Sequence, residues 1–382
     1  MVEDFMKSTS SSACIAGFAG VGKTSLMKYL PASKVVIAPT GKAAVRIEET
    51  TGLKASTIHR WMYTPKEDKK GNIFFERKPL DSIKRGDLIV IDEASMIDSK
   101  LYSDIVDTAD ALHCKTLFVG DPFQLPPVNK GEFDLQFSAL SENLYQKQNY
   151  ILIKEIVRQA LDSPIIRASV KIRNRDIMGG LKELTKLNSK DIIPKALELG
   201  IEKTSIICHT NNKRFEINDN IRTRLGYVDL TDGDQLLVTK NNYDLDIFNG
   251  EVHQIEKILD TTQKQHEIRD TVNKKYVHTY FHHLRLVGGS KVVVAELDLN
   301  GKLPHMTKQM SNKARLLFES EYLHCNYGYA TTAHKFQGSQ NNNICILMEP
   351  SIRPSEEEGA RWMYVAVTRA IDSCYYSLSS SL

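Results

Sequence analysis

GFAGVGKT (17–24) fits the spacing G-x-x-x-x-G-K-T and sits between an apolar run and a helical pattern. Gly17, Gly20 and Gly22 let backbone approach a ligand closely, so successive N–H groups and a helix N-terminus can cradle phosphates. Lys23 is expected to reach the outer phosphates of a nucleoside triphosphate and the Thr24 hydroxyl to bind Mg²⁺, with Ser25 continuing the phosphate-binding run. A glycine-rich loop without the GKT would carry little weight; here the loop and its context agree.

Three further stretches hold what such chemistry needs. In LIVIDEAS an apolar run ends in Asp92 and Glu93. Asp92 is expected to hold Mg²⁺, mostly through water, and Glu93 to orient or deprotonate the attacking water. In GDPFQLPP (120–127) Gln124 can both donate and accept, which suits a sensor of the γ-phosphate or of that water. Arg158 in EIVRQ and Arg369 in VAVTRA are candidates for stabilising transition-state charge, and each could reach ATP only if the two halves of the chain face each other. Each feature alone has a bland reading: a carboxylate pair at a strand tip, a turn ended by prolines, a solvated arginine. The phosphate loop upstream is what joins them.

These residues must be positioned by the elements before them. ACIAGF (13–18), KVVIAP (34–39), DLIVIDEA (87–94) and KTLFVGD (115–121) read as buried strands between helices, which predicts a parallel sheet covered on both faces. Ligands of such sheets bind at the carboxyl ends of the strands, and all four runs end in polar residues. WMYTPKEDKKGNIFFERKPL (61–80) predicts a short hairpin turning at 68–72. The αβ alternation resumes from about 150 with YILIKEIVRQ, SPIIRASVKIRNR and TSIICHTNN, gives way over 226–322 to β-rich sequence, and returns with NNICILMEP and ARWMYVAVTRA.

The 382 residues, 41% hydrophobic and 25% charged, suffice for two or more domains, and a net charge of +3 neither demands nor forbids a nucleic-acid groove. The six cysteines form no C-x-x-C pair and read as small thiols in a reducing compartment. HTYFHH (278–283) reads as alternating strand in preference to a metal site. With no apolar run of membrane-spanning length and no signal peptide, the chain is expected to be soluble and cytoplasmic.

Taken in order, GFAGVGKT, APTGKAA, STIHR, VIDEAS, GDPFQLPP, EIVRQ, YATTAHKFQGSQ and YVAVTRA resemble the motif series of superfamily 1 helicases, and the last two are most similar to the RecD-like branch, superfamily 1B. The resemblance spans 17–370. It implies an α/β fold of two RecA-like parallel-sheet lobes: 1–153 with a pin hairpin inserted at 61–86, and 154–225 with 323–382, carrying a β-rich, SH3-like insertion at 226–322. It implies ATP and Mg²⁺ between the lobes and movement 5′→3′ on single-stranded DNA, unwinding forked duplex as a monomer. A single-strand-binding or replication protein is the accessory partner that such a role implies. Matched motif by motif, Pro39, Thr40, Thr57 and His59 would contact DNA from the first lobe, and Asn211, Thr332, His334 and Lys335 from the second. Such groups suit phosphate contacts that position a strand without reading its sequence. Phe74 or Phe75 would stack on a base at the fork or fill the hairpin's own core, and Gly338 would approach the γ-phosphate. The family's glutamine segment for adenine has no counterpart in MVEDFMKSTSSS; the contact is absent, comes from elsewhere, or precedes this start. Other functions consistent with the motifs are a viral-type RNA helicase and a DNA-binding accessory subunit whose ATPase has decayed.

Overall fold

The computed structural model describes residues 2–31, 33–67, 73–127, 149–156, 162–242, 245, 247–269, 274–299, 301, 322–353 and 355–378. Its strands are β1 (Ser12–Gly17), β2 (Lys34–Ala38), β3 (Ala55–Thr57), β4 (Tyr63–Glu67), β5 (Ile73–Arg77), β6 (Leu88–Ile91), β7 (Lys115–Gly120), β8 (Asn149–Ile153) and β9 (Thr185–Lys186). There follow β10 (Thr204–Cys208), β11 (Gln235–Val238), β12 (Val252–Arg269), β13 (Lys274–Leu286), β14 (Lys291–Ala295), β15 (Cys325–Tyr327), β16 (Ala330–Thr332), β17 (Asn341–Met348) and β18 (Ala370–Leu378). Two compact units result, one of Met1–Thr64, Glu76–Ser189 and Gln337–Leu382, the other of Pro65–Phe75 and Lys190–Phe336.

The first unit is built on a six-stranded sheet of order β3-β2-β6-β7-β1-β8, parallel at every pair. Neighbouring residues of β6 enter opposite cores. Leu88 and Val90 pack with Ala13, Ile15, Val36 and Leu117, while Ile89 and Ile91 pack with Val35, Ile37, Trp61 and Phe118. Side chains alternate faces along a strand, so an unbroken apolar run is what a sheet covered on both sides requires. Truncating one such isoleucine to alanine is expected to cost about 2–5 kcal/mol.

The same unit holds β17, β18 and β9, again parallel. It also holds the helix Glu357–Val367, in which Gly359, Ala360 and every residue from Trp362 to Val367 are buried. A helix apolar on nearly all sides belongs inside a domain.

In the second unit β10 and β16 pair in parallel, and the helix Asn211–Arg224 follows β10. The β-rich stretch forms a five-stranded antiparallel sheet, order β14-β13-β12-β11-β15. The histidine run at 278–283 lies in β13, as strand. β4 and β5 form the expected two-stranded sheet, while its turn at 68–72, like Arg158, lies outside the described residues. No described helix is long and apolar enough to cross a membrane.

Candidate functional site

Gly17 ends β1, and the loop through Gly20 and Gly22 leads into the short helix Lys23–Leu26. Gly22 caps that helix at φ 78°, a left-handed conformation that a side chain would strain. Lys23 Nζ donates to the Phe18 carbonyl at 3.0 Å, so the lysine folds back over its own loop. Ser25, two residues on, is exposed.

Asp92 follows β6, its N–H donating to the Ile37 carbonyl of β2 at 3.0 Å. This places its carboxylate beside the loop, where Thr24 Oγ1 donates to Asp92 Oδ2 at 3.4 Å. Burial, with the Glu93 charge next to it, pushes Asp92 up to about 7. Glu93 sits at φ 50°, and its Oε2 is buried with no hydrogen-bond partner. A hydroxyl, a carboxylate and an unsatisfied acidic oxygen form a hard-oxygen set that fits Mg²⁺, which takes one or two protein carboxylates and leaves its other positions to water and phosphate. No described group of three or more His, Cys, Asp or Glu could hold a metal by itself.

Gln124 is buried beyond β7, with Ser95 Oγ donating to its Oε1 at 3.5 Å and its own N–H donating to the Asp121 carbonyl. Arg369, just past the helix Glu357–Val367, donates to the carbonyls of Val365 and Ser339 and to Thr368 Oγ1. Burial lowers its pKa from the ordinary value, and the nearby Glu93 carboxylate opposes that shift. Lys23, Thr24, Asp92, Glu93, Gln124 and Arg369 therefore belong to one compact unit.

The residues expected to meet a nucleic acid fall into two sets of similar construction. Ala38 of β2 pairs with Thr57 of β3, so Pro39 and Thr40 emerge beside Thr57 and His59 at the carboxyl ends of adjacent parallel strands. Thr40 and Thr57 cap the helices that follow, each oxygen accepting a backbone N–H and leaving its own hydrogen to donate. Thr57 is buried, and His59 is half-buried against the Tyr63 ring. In the second unit Cys208 of β10 pairs with Thr332 of β16. The exposed Asn211 and the half-buried His334 and Lys335 follow those strand ends, with Thr332 buried. Burial and the Arg214 charge lower Lys335 to about 8. Phe74 and Phe75, neighbours on β5, are 46% and 44% exposed.

Gly338 adopts φ 74°, and a Cβ there would lie 3.3 Å from Thr40 Oγ1 and 3.5 Å from Ala43 Cβ. What it approaches among the described residues is the N-terminus of the helix Gly41–Thr51. Gln337 beside it donates from Nε2 to the Leu125 carbonyl at 2.9 Å.

Three residues of this site are not singled out by sequence reasoning. Tyr364 Oη donates to Asp121 Oδ2 at 2.6 Å and accepts the Ala19 N–H at 2.8 Å. Arg361 Nη1 donates to the carbonyls of Pro122 and Gln124. The available signal was the spacing of Arg361 and Tyr364, one helical turn apart beside the TRA that follows them.

Comparison with known proteins agrees with this construction. Residues 1–196 match the AAA domain family, and residues 327–375 match the UvrD-like helicase C-terminal domain. The ATP-dependent RecD2 DNA helicase of Deinococcus radiodurans is 24% identical over 395 residues, covering 96% of this chain and 47% of that protein. The ATP-dependent DNA helicase dda of Enterobacteria phage T4 is 28% identical over 179 residues, covering 44% of this chain and 39% of that protein. The chain thus spans less than half the length of either curated relative. The Bacteroides Pif1 helicase, solved in complex with ADP-AlF3 and ssDNA, has the same fold, with a TM-score of 0.60 at 17% identity over 99% of this chain and 91% of that one. The parallel sheets are thus RecA-like, and the match over residues 1–196 shows that the chain belongs to the AAA domain family.

Proposed function

We propose that this chain hydrolyses ATP to move along single-stranded DNA, 5′→3′, and to unwind forked duplex. The observation that carries the reading is Thr24 Oγ1 set 3.4 Å from Asp92 Oδ2, beside the unpartnered Oε2 of Glu93. Loop amides and Lys23 hold the triphosphate, and Thr24 with Asp92 hold Mg²⁺. When bound, that ion neutralises charge on the phosphate oxygens. Glu93 takes a proton from the attacking water, Gln124 orients it, and Arg369, with Arg158, stabilises the charge that develops. Two proteins named as ATP-dependent DNA helicases, RecD2 and dda, are similar in sequence to this chain, which supports the reading.

Pro39, Thr40, Thr57 and His59 form one strand-contacting set, and Asn211, Thr332, His334 and Lys335 the other. They belong to lobes we place at 1–153 and at 154–225 with 323–382, with 226–322 inserted and Phe74 or Phe75 on the pin. Lys23→Ala and Glu93→Gln are each expected to lower kcat by about 100-fold or more while oligonucleotide binding is kept. Phosphate release with DNA and RNA oligonucleotides, and unwinding of forks with a 5′ or a 3′ tail, check substrate and direction. Near-normal turnover in both variants, or stimulation by RNA in preference to DNA, overturns the proposal.

A further inference from the structure

The helix Glu357–Val367 reaches two nucleotide-site loops through a single hydroxyl. Tyr364 is fully buried and its oxygen is used twice, as donor to Asp121 Oδ2 at 2.6 Å and as acceptor of the Ala19 N–H at 2.8 Å. Ala19 lies within the phosphate loop, two residues after Gly17. Asp121 is buried too, and organises the turn that carries Gln124: its Oδ1 accepts the Phe123 N–H at 2.9 Å, and its carbonyl accepts the Gln124 N–H at 3.2 Å. One turn earlier on the same helix, Arg361 holds the carbonyls of Pro122 and Gln124 at 2.7 and 3.1 Å. Filling space would need only the ring, which packs edge-to-face with Phe123 at 5.1 Å between ring centroids. The hydroxyl adds something else, since it fixes the loop that cradles phosphate against the turn that carries Gln124.

We propose that Tyr364 is a positioning residue for hydrolysis, its hydroxyl holding Gln124 in register with the phosphate loop; the inference rests on the ATP-hydrolysing function proposed above. Phosphate affinity comes from the loop amides and Lys23, which Tyr364 does not replace. Removing the hydroxyl should therefore act on the chemical step and not on binding. Misplacement of a catalytic group by a fraction of an ångström to an ångström lowers turnover steeply.

Tyr364→Phe keeps the ring and removes the oxygen. In DNA-stimulated phosphate release it is expected to lower kcat by about 10- to 100-fold, with the KM for ATP within about threefold of the unsubstituted chain. In the nucleotide-free protein, hydrogen exchange at the Ala19 amide should quicken. Asp121→Asn, which keeps the side chain's shape, is the second variant and should move kcat in the same direction. A kcat within about twofold of the unsubstituted chain in both variants overturns the positioning role alone. So does unchanged exchange at Ala19, or a loss of ATP affinity that matches the loss of kcat. An unsubstituted chain that hydrolyses no ATP with any oligonucleotide defeats the proposed function, and this inference with it.

Discussion

Lys335 holds its proton less firmly than an ordinary lysine, because burial and the Arg214 guanidinium bring it down to about 8. The two consequences have opposite signs. In the unfolded chain this lysine stays protonated to about 10.4, so between about 8 and that value the unfolded state binds more protons. Its contribution to folding stability is therefore full above the unfolded value and is lost as pH falls through the folded one. DNA affinity should run the other way, weakening as pH rises from 7 to 9 through a midpoint near 8, as the cation proposed to contact phosphate discharges. Fluorescence anisotropy of a labelled single strand checks this, and Lys335→Arg should flatten the profile because an arginine stays charged. A profile equally steep in the arginine variant sinks the assignment. At this scale the sequence was legible where chemistry is local. Lys23 and Thr24 follow from the spacing of one loop, and Asp92 from the polar end of an apolar run. Tyr364 and Asp121 were not legible, because their hydrogen bond joins residues 243 apart and no spacing rule connects them.

Among the elements, the β4–β5 hairpin has a foot that alternation alone does not disclose. Tyr63 Oη and Arg77 Nη2 both donate to Asp104 of the helix Ser99–Ala111, and Arg77 also pairs with Asp107. The base of each strand is thus bonded to one side chain of a helix in the parallel-sheet unit, while Phe74 and Phe75 stay nearly half exposed. If the hairpin is the pin that parts the strands, its stiffness comes from this clamp. Asp104→Ala removes hydrogen bonds to a charged group, worth about 1.5–3 kcal/mol when well buried and less here, where Arg77 is 45% exposed. We expect fork unwinding to fall roughly fivefold, as for about 1 kcal/mol of lost anchoring. Single-strand-stimulated ATPase should change by less than about twofold. Equal losses in both assays would mean the clamp only supports the fold. The hairpin itself could be read from a turn between strand-like runs, but its anchor lies 27 residues beyond Arg77, on a helix whose outward carboxylates look like ordinary solvated charge.

For the whole molecule, the chain's path decides how YATTAHKFQGSQ (329–340) acts. The division between compact units falls inside it, with Phe336 ending one stretch of the second unit and Gln337 beginning the last stretch of the first. Runs of buried residues predicted the parallel strands. They did not predict that 337–382 would pack with the start of the chain, because that grouping is made by Gln337, Arg361 and Tyr364 bonding to loops more than two hundred residues earlier. Gly338 sits at the crossing, at φ 74° and within 3.3 Å, for a notional Cβ, of the Thr40 hydroxyl. Alanine there must hold a left-handed backbone at about 1–2 kcal/mol and push on a residue proposed to contact DNA. The melting temperature should drop by about 1–3 °C, because the shift per kcal/mol falls to roughly 1 °C as the unfolding entropy grows with chain length. If the crossing transmits strand occupancy to the nucleotide site, Gly338→Ala should keep binding of each ligand measured alone and lose most of the stimulation of ATPase by saturating oligonucleotide. The ratio of turnover with and without DNA checks this. An unchanged ratio with a lowered melting temperature would leave Gly338 as a turn and nothing more, and coupling would then have to run through the helix that carries Tyr364 and Arg361.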